Sequence, residues 1–322
     1  MKYLVTGGAG YIGSVVVNKL IKSNNYVNVL DNCKFGGESL ISHFNEPNFK
    51  FFYGDIRDEK IVLQALQNVD IVIHLAAIVG DPACKNDPSN AEAINLHATK
   101  ELHKNSEKNG VKRFVFASTC SNYGKMEDPN TFCNESSKLN PISLYAETKV
   151  AAEKYLMSNK TSPCIPTCLR FSTVYGLSPR TRFDLTVNEF CRDLADGKEL
   201  VIFGEQFWRP YCHVDDLATS TILASISDEK LVAFDTFNVG DSSENYTKGM
   251  LAEILKKKFQ NANITYVHKD EDPRDYRVDF SKIKDVLNFK ITKTVEDGID
   301  EIIKSIKNKV FINTADGKYR NC

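Results

Sequence analysis

A doubly wound parallel α/β sheet followed by a smaller mixed α/β unit is the fold class this sequence predicts. Two observations carry it. Up to residue 172, short β-rich runs alternate with stretches of helical apolar spacing. Such alternation builds βαβ units, with helices over a parallel sheet and ligands at the carboxyl ends of the strands. Beyond residue 172 the rhythm breaks, and basic and aromatic residues gather in loops, as in Ser178-Pro179-Arg180-Thr181-Arg182-Phe183. The expected division is 1–172 and 173–322, with part of 208–240 completing the first unit.

The elements follow in order. Lys2 to Thr6 is a β-rich run, and Tyr11 to Ser23 carries apolar residues at helical spacing. Tyr26 to Leu30 and Lys50 to Tyr53 read as strands two and three, Glu59 to Leu66 as a helix, and Ile71 to Leu75 as strand four. A helix is expected around Ala91 to Asn109, a strand at Arg113 to Ala117, a helix from Leu144 to Ser158 and a strand at Thr167 to Phe171. In the second part, Val201 to Phe203 and Tyr211 to Val214 read as short strands, and Lys248 to Phe259 and Thr294 to Lys307 as helices.

Composition bounds the partners. With 41 basic and 42 acidic residues the net charge is −1. A protein that wraps nucleic acid or coats a membrane relies on surplus positive charge, so neither is expected. No apolar run approaches the roughly 20 residues that span a bilayer. Met1-Lys2 leads straight into Tyr3-Leu4-Val5, so no export signal is expected, the location is expected to be cytoplasmic, and the nine cysteines are expected to be reduced. They form no Cys-x-x-Cys and the histidines no His-Glu-x-x-His, so no metal site is expected.

Thr6-Gly7-Gly8-Ala9-Gly10-Tyr11-Ile12-Gly13 joins the first strand to the first helix. Glycines at 7, 10 and 13 permit a tight turn, a close backbone approach to a diphosphate and close helix–sheet packing, at a helix N-terminus that favours phosphate. Asp31 ends the second strand, where an acid grips the adenosine ribose. Its carboxylate favours NAD over NADP by repelling a 2′-phosphate. The expected cofactor contacts are Gly7, Gly10, Tyr11, Ile12 and Asp31, with Asp55 and Ile56 beside the adenine, Leu75, Ala76 and Ala77 along the fourth strand's end, and Lys149 at the nicotinamide ribose. The first unit is therefore expected to be a Rossmann-type domain.

Tyr145-Ala146-Glu147-Thr148-Lys149 places a tyrosine and a lysine on one helical face. A lysine cation and a positive nicotinamide would favour the phenolate and lower the tyrosine pKa. Tyr145 is then a base for a sugar hydroxyl whose carbon yields hydride.

The ordered set of motifs resembles an extended short-chain dehydrogenase/reductase of the NAD-dependent epimerase/dehydratase family. It comprises the glycine turn, Asp31, Asp55, His74-Leu75-Ala76-Ala77, Ser118-Thr119 before Tyr123-Gly124, Tyr145 with Lys149, Arg170 to Gly176, and Arg209 to Asp216. The resemblance implies a nucleotide-diphosphate sugar bound between two domains. It assigns Thr119 the hydroxyl-orienting role, Ser118 a structural one, and Asn95 a place lining the site. It also implies a homodimer pairing the Ala91 to Asn109 and Tyr145 helices across a two-fold axis.

Two departures matter. The 4,6-dehydratases of the family carry an Asp-Glu pair after the threonine, where this chain has Cys120 and Ser121. Thr173 stands where the family often has asparagine. Arg180, Arg182, Arg209, Arg274 and Arg277 are candidate phosphate contacts, because arginine grips phosphate in a charged fork. Arg209 and Arg274 come first by resemblance. His213 is expected to anchor a loop rather than serve as the base.

The implied reaction is oxidation at C4 to a 4-keto sugar. An epimerase returns hydride to the other face, whereas a dehydrogenase needs another acceptor, for which a 2-oxo acid is expected. Ile78-Val79-Gly80-Asp81-Pro82-Ala83-Cys84 and Ser178 to Asp184 resemble a surface-polysaccharide branch of the family, with GDP-mannoheptose of capsule synthesis as the implied substrate. A UDP-hexose 4-epimerase is the alternative. A member that only senses NAD(H) or binds a partner is disfavoured by the retention of Tyr145, Lys149 and Thr119 together.

Overall fold

The structure is a computed structural model and describes residues 1–126, 128, 131–270, 272 and 274–321; Cys322 lies outside the described residues. The first strands are β1 (Lys2–Thr6), β2 (Tyr26–Asp31), β3 (Phe49–Tyr53), β4 (Ile71–His74), β5 (Arg113–Thr119) and β6 (Ile165–Phe171). Next come β7 (Thr173–Tyr175), β8 (Leu200–Phe203), β9 (Trp208–His213), β10 (Asp235–Val239), β11 (Asn245–Thr247) and β12 (Ile264–Val267). A parallel sheet runs β10-β6-β5-β4-β1-β2-β3. Two small sheets, β11-β9-β7 and β12-β8, belong to the second part.

β1 lies between β2 and β4, with Thr6 paired to both Leu30 and His74. The chain order reverses there, and the reversal opens a crevice at the strands' carboxyl ends. Apolar layers cover both faces of the sheet. Helix α1 (Tyr11–Lys22) contributes Val16, Val17 and Leu20 to one. On the other lie Val62 of α2 (Glu59–Ala65) and, further along the chain, Leu102, Ala152 and Leu156. Side chains of this kind contribute roughly 1.5–3 kcal/mol each when fully buried.

The helix expected at Ala91 to Asn109 is not continuous. After α3 (Asp81–Asn86), it divides into α4 (Pro88–Glu92), a π-helical segment at Ala93–Ala98, and α5 (Thr99–Lys108). Pro88 is tolerated because it opens a helix, where its missing N–H has no partner to lose. The π segment widens the turn where Asn95 reaches out to the backbone of Ile78.

Helix α6 (Leu144–Ser158) starts on a Ser143 cap, its side chain accepting from the Ala146 N–H. Beyond it stand α7 (Thr186–Ala195), α8 (Val214–Ile226), α9 (Glu229–Val232), α10 (Lys248–Lys258), α11 (Ser281–Leu287) and α12 (Val295–Lys307). Within 208–240, α8 packs on α1 and β10 pairs with β6 at the sheet's edge. The second part has its own core, including Phe190, Tyr211, Leu251, Ile299 and Ile302. No helix among the described residues is long and apolar enough to cross a membrane.

Candidate active site

A cleft of about 690 Å³ opens at the carboxyl ends of the strands, between the sheet and the second part. The glycine turn forms its floor. Gly7 holds φ +73°, and a Cβ there would meet the Ala76 nitrogen at 2.7 Å. Close approach to the β4 exit thus demands glycine. A Cβ on Gly13 would lie 2.0 Å from the Gly7 carbonyl oxygen, so α1 could not pack so near the turn. Gly10 caps α1 with no side-chain hydrogen bond, and no acidic residue occupies the first turn. Its N–H groups are left for an anion.

Asp31 lines the cleft and accepts from the Ala9 N–H at 3.0 Å and the Cys33 N–H at 2.8 Å. Burial raises its pKa, and the two backbone N–H groups counteract that. Asp55 accepts from Arg57, which holds its carboxyl below the ordinary range. Gly7, Gly10, Tyr11, Ile12, Asp55, Ile56, Leu75, Ala76 and Ala77 all line the same cleft. The Tyr11 hydroxyl has a further use: it donates to the Gly176 carbonyl at 2.6 Å and ties α1 to the second part.

Tyr145, Lys149 and Thr119 meet on the wall above this floor. Tyr145 and Lys149 stand one turn apart on α6, and Thr119 ends β5. Lys149 Nζ donates to the Ala117 carbonyl at 2.8 Å and lies 4.7 Å from the Phe116 ring centroid. Burial lowers its pKa to about 8. Thr119 Oγ1 accepts from the Ser121 N–H at 3.1 Å, a bond that does not use its own proton. The protein's own groups push the Tyr145 pKa up, contrary to the expected lowering. Burial dominates, Cys84 and Asp81 add to it, and Arg182 opposes.

A buried polar frame holds these elements. His74 joins Thr6 Oγ1 at 2.7 Å to Thr99 Oγ1 at 2.8 Å, and burial followed by the Lys149 charge holds its pKa at about 3. Ser118 donates to Glu153 at 2.9 Å, and Glu153 pairs with Arg170.

The NAD dependent epimerase/dehydratase family model matches residues 3–240. The chain belongs to that family. A UDP-glucose 4-epimerase from Lactobacillus helveticus is 31% identical over 327 residues, covering 94% of this chain and 95% of its own. A UDP-glucose 4-epimerase from Thermotoga maritima, solved with UDP-glucose, superposes with a TM-score of 0.85 at 29% identity, over 96% of this chain and 100% of its own. A dTDP-glucose 4,6-dehydratase from Streptomyces venezuelae, with NAD bound, gives 0.85 at 26%, over 96% and 98%.

NAD is the cofactor of this epimerase/dehydratase family, and the residues fit it. The glycine turn leaves space for a diphosphate, the first turn of α1 is uncapped, and Asp31 stands at the end of β2. Cys120 and Ser121 part company. Cys120 is buried with its thiol on the Arg170 carbonyl, and Ser121 faces the cleft.

Thr173, Arg182, Arg209 and Arg274 also line the cleft. Arg209 donates to Asp272 at 2.8 Å and its guanidinium carbon lies 5.5 Å from the Tyr276 ring centroid. Arg274 reaches across to Asp81 at 3.1 Å. Arg182 is bidentate on Asp184.

Two sequence expectations, for Asn95 and Arg277, need correction. Asn95 does not line the cleft: it is buried, and its amide accepts from the Ile78 N–H and donates to the Ile78 carbonyl, both at 2.9 Å. It positions the Ile78 backbone rather than a substrate. Arg180 does line the same cleft as Arg209, its guanidinium carbon 4.5 Å from the Phe35 ring centroid. Arg277 is stacked on Phe132 and Trp208, away from the cleft lining.

His213 caps α8, with Nδ1 accepting from the Asp215 N–H and Nε2 bonded to Glu301 at 2.7 Å. Burial would raise Glu301, but hydrogen bonds from His213 and Lys293 carry it down to about 2. Lys248, Phe35 and Asn321 also line the cleft and were not anticipated. Lys248 opens an expected helix, so its place toward the cleft was the readable sign. The other two sit in irregular segments with no motif.

Proposed function

We propose that this protein oxidises C4 of a nucleoside-diphosphate sugar and returns the hydrogen to the opposite face, acting as a cytoplasmic 4-epimerase. The observation that carries this reading is that Tyr145, Lys149 and Thr119 line the same cleft as the glycine turn. NAD, when bound, supplies the two-electron acceptor for hydrogen leaving the sugar carbon. Thr119 orients the C4 hydroxyl, Tyr145 takes its proton, and Lys149, one turn along the same helix, favours the phenolate once the positive ring is beside it. Arg209 and Arg274 hold the sugar diphosphate through charged forks. Thr173 adds a single hydroxyl contact, and Arg182 flanks the sugar site. The protein is taken to act as a homodimer.

The 4-epimerase relatives support the return of hydrogen as the net outcome. A UDP-hexose is the substrate class those relatives suggest. A second reading, release of the keto sugar from GDP-mannoheptose in capsule synthesis with a 2-oxo acid as final acceptor, is favoured by one observation. The two segments resembling that branch face the same cleft, through Asp81 on one wall and Arg180 and Arg182 on the other. A 4,6-dehydratase lacks support, since neither Cys120 nor Ser121 offers a carboxyl.

Incubation with UDP-, GDP- and dTDP-sugars, with and without a 2-oxo acid, separates these outcomes by mass spectrometry and sugar analysis. Unchanged mass with a new C4 epimer supports the first reading. Loss of two hydrogens supports the second. Loss of water contradicts both.

A further inference from the structure

Arg180 is the cation whose surroundings the reaction leaves unexplained. It is 7% exposed, yet it donates only to neutral oxygens among the described residues: Nη1 to Asn321 Oδ1 at 2.6 Å and Nη2 to the Arg320 carbonyl at 2.8 Å. Its Nε is buried with no hydrogen-bond partner. The nearest carboxylate candidate, Asp184, is already bidentate on Arg182. A buried charge without a counter-charge is costly unless something anionic arrives to offset it.

The place is telling. Ser178 Oγ donates to the Tyr11 carbonyl at 2.6 Å and lies 3.1 Å from Ser14 Oγ, so the loop bearing Arg180 rides on the first turn of α1. That turn has an uncapped N-terminus and no acidic residue. Phe35, under the Arg180 guanidinium, follows Asp31 by four residues. An unpartnered buried donor and a free helix N-terminus therefore share one wall of the cleft, at its cofactor end.

The segment 317–321 holds the arrangement shut. The Phe183 N–H donates to the Tyr319 carbonyl at 2.8 Å, and the Asn321 N–H donates to Asp184 at 3.0 Å. The Tyr319 ring packs edge-on against Phe183 and Phe311.

We propose that Arg180 is a cofactor residue, offsetting the dinucleotide's diphosphate opposite the first turn of α1, and that segment 317–321 is a strap that fixes it and slows cofactor release. This rests on NAD being the bound dinucleotide. The chemical logic is that of a third phosphate clamp. The turn supplies backbone N–H groups, the helix supplies its dipole, and Arg180 supplies full charge.

The test compares wild type with Arg180→Ala, Arg180→Lys and the double variant Tyr319→Ala/Asn321→Ala, each checked for folding by circular dichroism. NADH affinity and release are followed by fluorescence, and UDP and GDP affinity by calorimetry. Expected are a Kd for NADH raised about tenfold or more in Arg180→Ala, consistent with loss of a charge-assisted contact, faster NADH release in the strap variant, and unchanged UDP and GDP affinity. Arg180→Lys keeps the charge and is expected to recover most of the affinity lost in Arg180→Ala; if the alanine variant does not fold, Arg180→Gln, which removes the charge but keeps a polar side chain, takes its place with the same expected loss. Unchanged NADH binding in the folded charge-removing variant overturns the proposal, as does weakened UDP or GDP binding with NADH intact, which would return Arg180 to the substrate. Wild-type protein that takes up no NADH overturns the cofactor reading itself.

Discussion

At the glycine turn the cleft is shaped by missing side chains, and at the arginine end by paired charges. A Cβ on Gly13 would stand 2.0 Å from the Gly7 carbonyl, a conflict between backbone atoms that no rotamer relieves. Arg209 and Arg274, by contrast, rest on Asp272 and Asp81, and binding of a phosphate there, as proposed, would have to displace those partners. The cofactor end is thus a rigid mould. The arginine end is a set of ion pairs that an anionic ligand would have to compete with. The difference predicts tight, shape-limited binding at one end and charge-dependent, tunable binding at the other.

The largest expected effect removes the group on which both ends converge. Tyr145→Phe is expected to cut turnover by about 10²–10⁴-fold, the range for a general base, while NADH and UDP or GDP still bind. Turnover and titration on the same preparation check it. Next, Gly13→Ala breaks the mould alone. It is expected to abolish measurable cofactor uptake and to cost about 1–3 kcal/mol of stability, as overpacking does, with nucleoside-diphosphate affinity kept in the fraction that folds. Arg209→Ala tests the opposite end. KM for the sugar nucleotide is expected to rise about 10–100-fold, with cofactor binding unchanged, because a charge-assisted fork contributes roughly 1.5–3 kcal/mol.

Lys149 sharpens the contrast through pH. Burial takes its pKa from 10.5 to about 8 in the folded protein. Between those values the unfolded chain holds the proton that the native state has lost, so this residue makes stability rise with pH across about 8 to 10.5 and lowers it below 8. Replacing it with methionine is expected to leave the melting temperature at pH 7 no lower than that of wild type, to remove the gain on going to pH 9.5, and to lose activity. Thermal unfolding at the two pH values reads this directly. The smallest effect is that of His213→Asn, expected to cost about 1–2 kcal/mol of stability with kcat retained, since His213 bonds to Glu301 rather than to the cleft.

The same contrast explains what the sequence disclosed. The mould was legible because glycine spacing between a strand and a helix has few other uses, and Asp31 falls where its geometry requires. Tyr145 and Lys149 were legible as one face of a helix, and α6 spans the residues expected. Asn95 was misread because side-chain direction in a π-helical segment does not follow the 3.6-residue repeat. Which ligand Arg180 would serve was not legible, because that depends on where its loop docks, here on Tyr11 and Ser14, some 165 residues away in sequence. The pairing of Arg274 with Asp81 is likewise a product of tertiary folding between distant segments. The expected lowering of the Tyr145 pKa overlooked the enclosure that raises it.

The central claim is hydrogen removal from C4 by Tyr145 acting beside bound NAD. It is tested most directly with a sugar nucleotide deuterated at C4, incubated with the enzyme and quenched. Deuterium recovered on the nicotinamide ring with wild-type protein, and none with Tyr145→Phe, is the predicted result. No deuterium on the nicotinamide at any quench time while wild type converts the sugar, or an epimer whose C4 carries solvent hydrogen in place of the label, would contradict it.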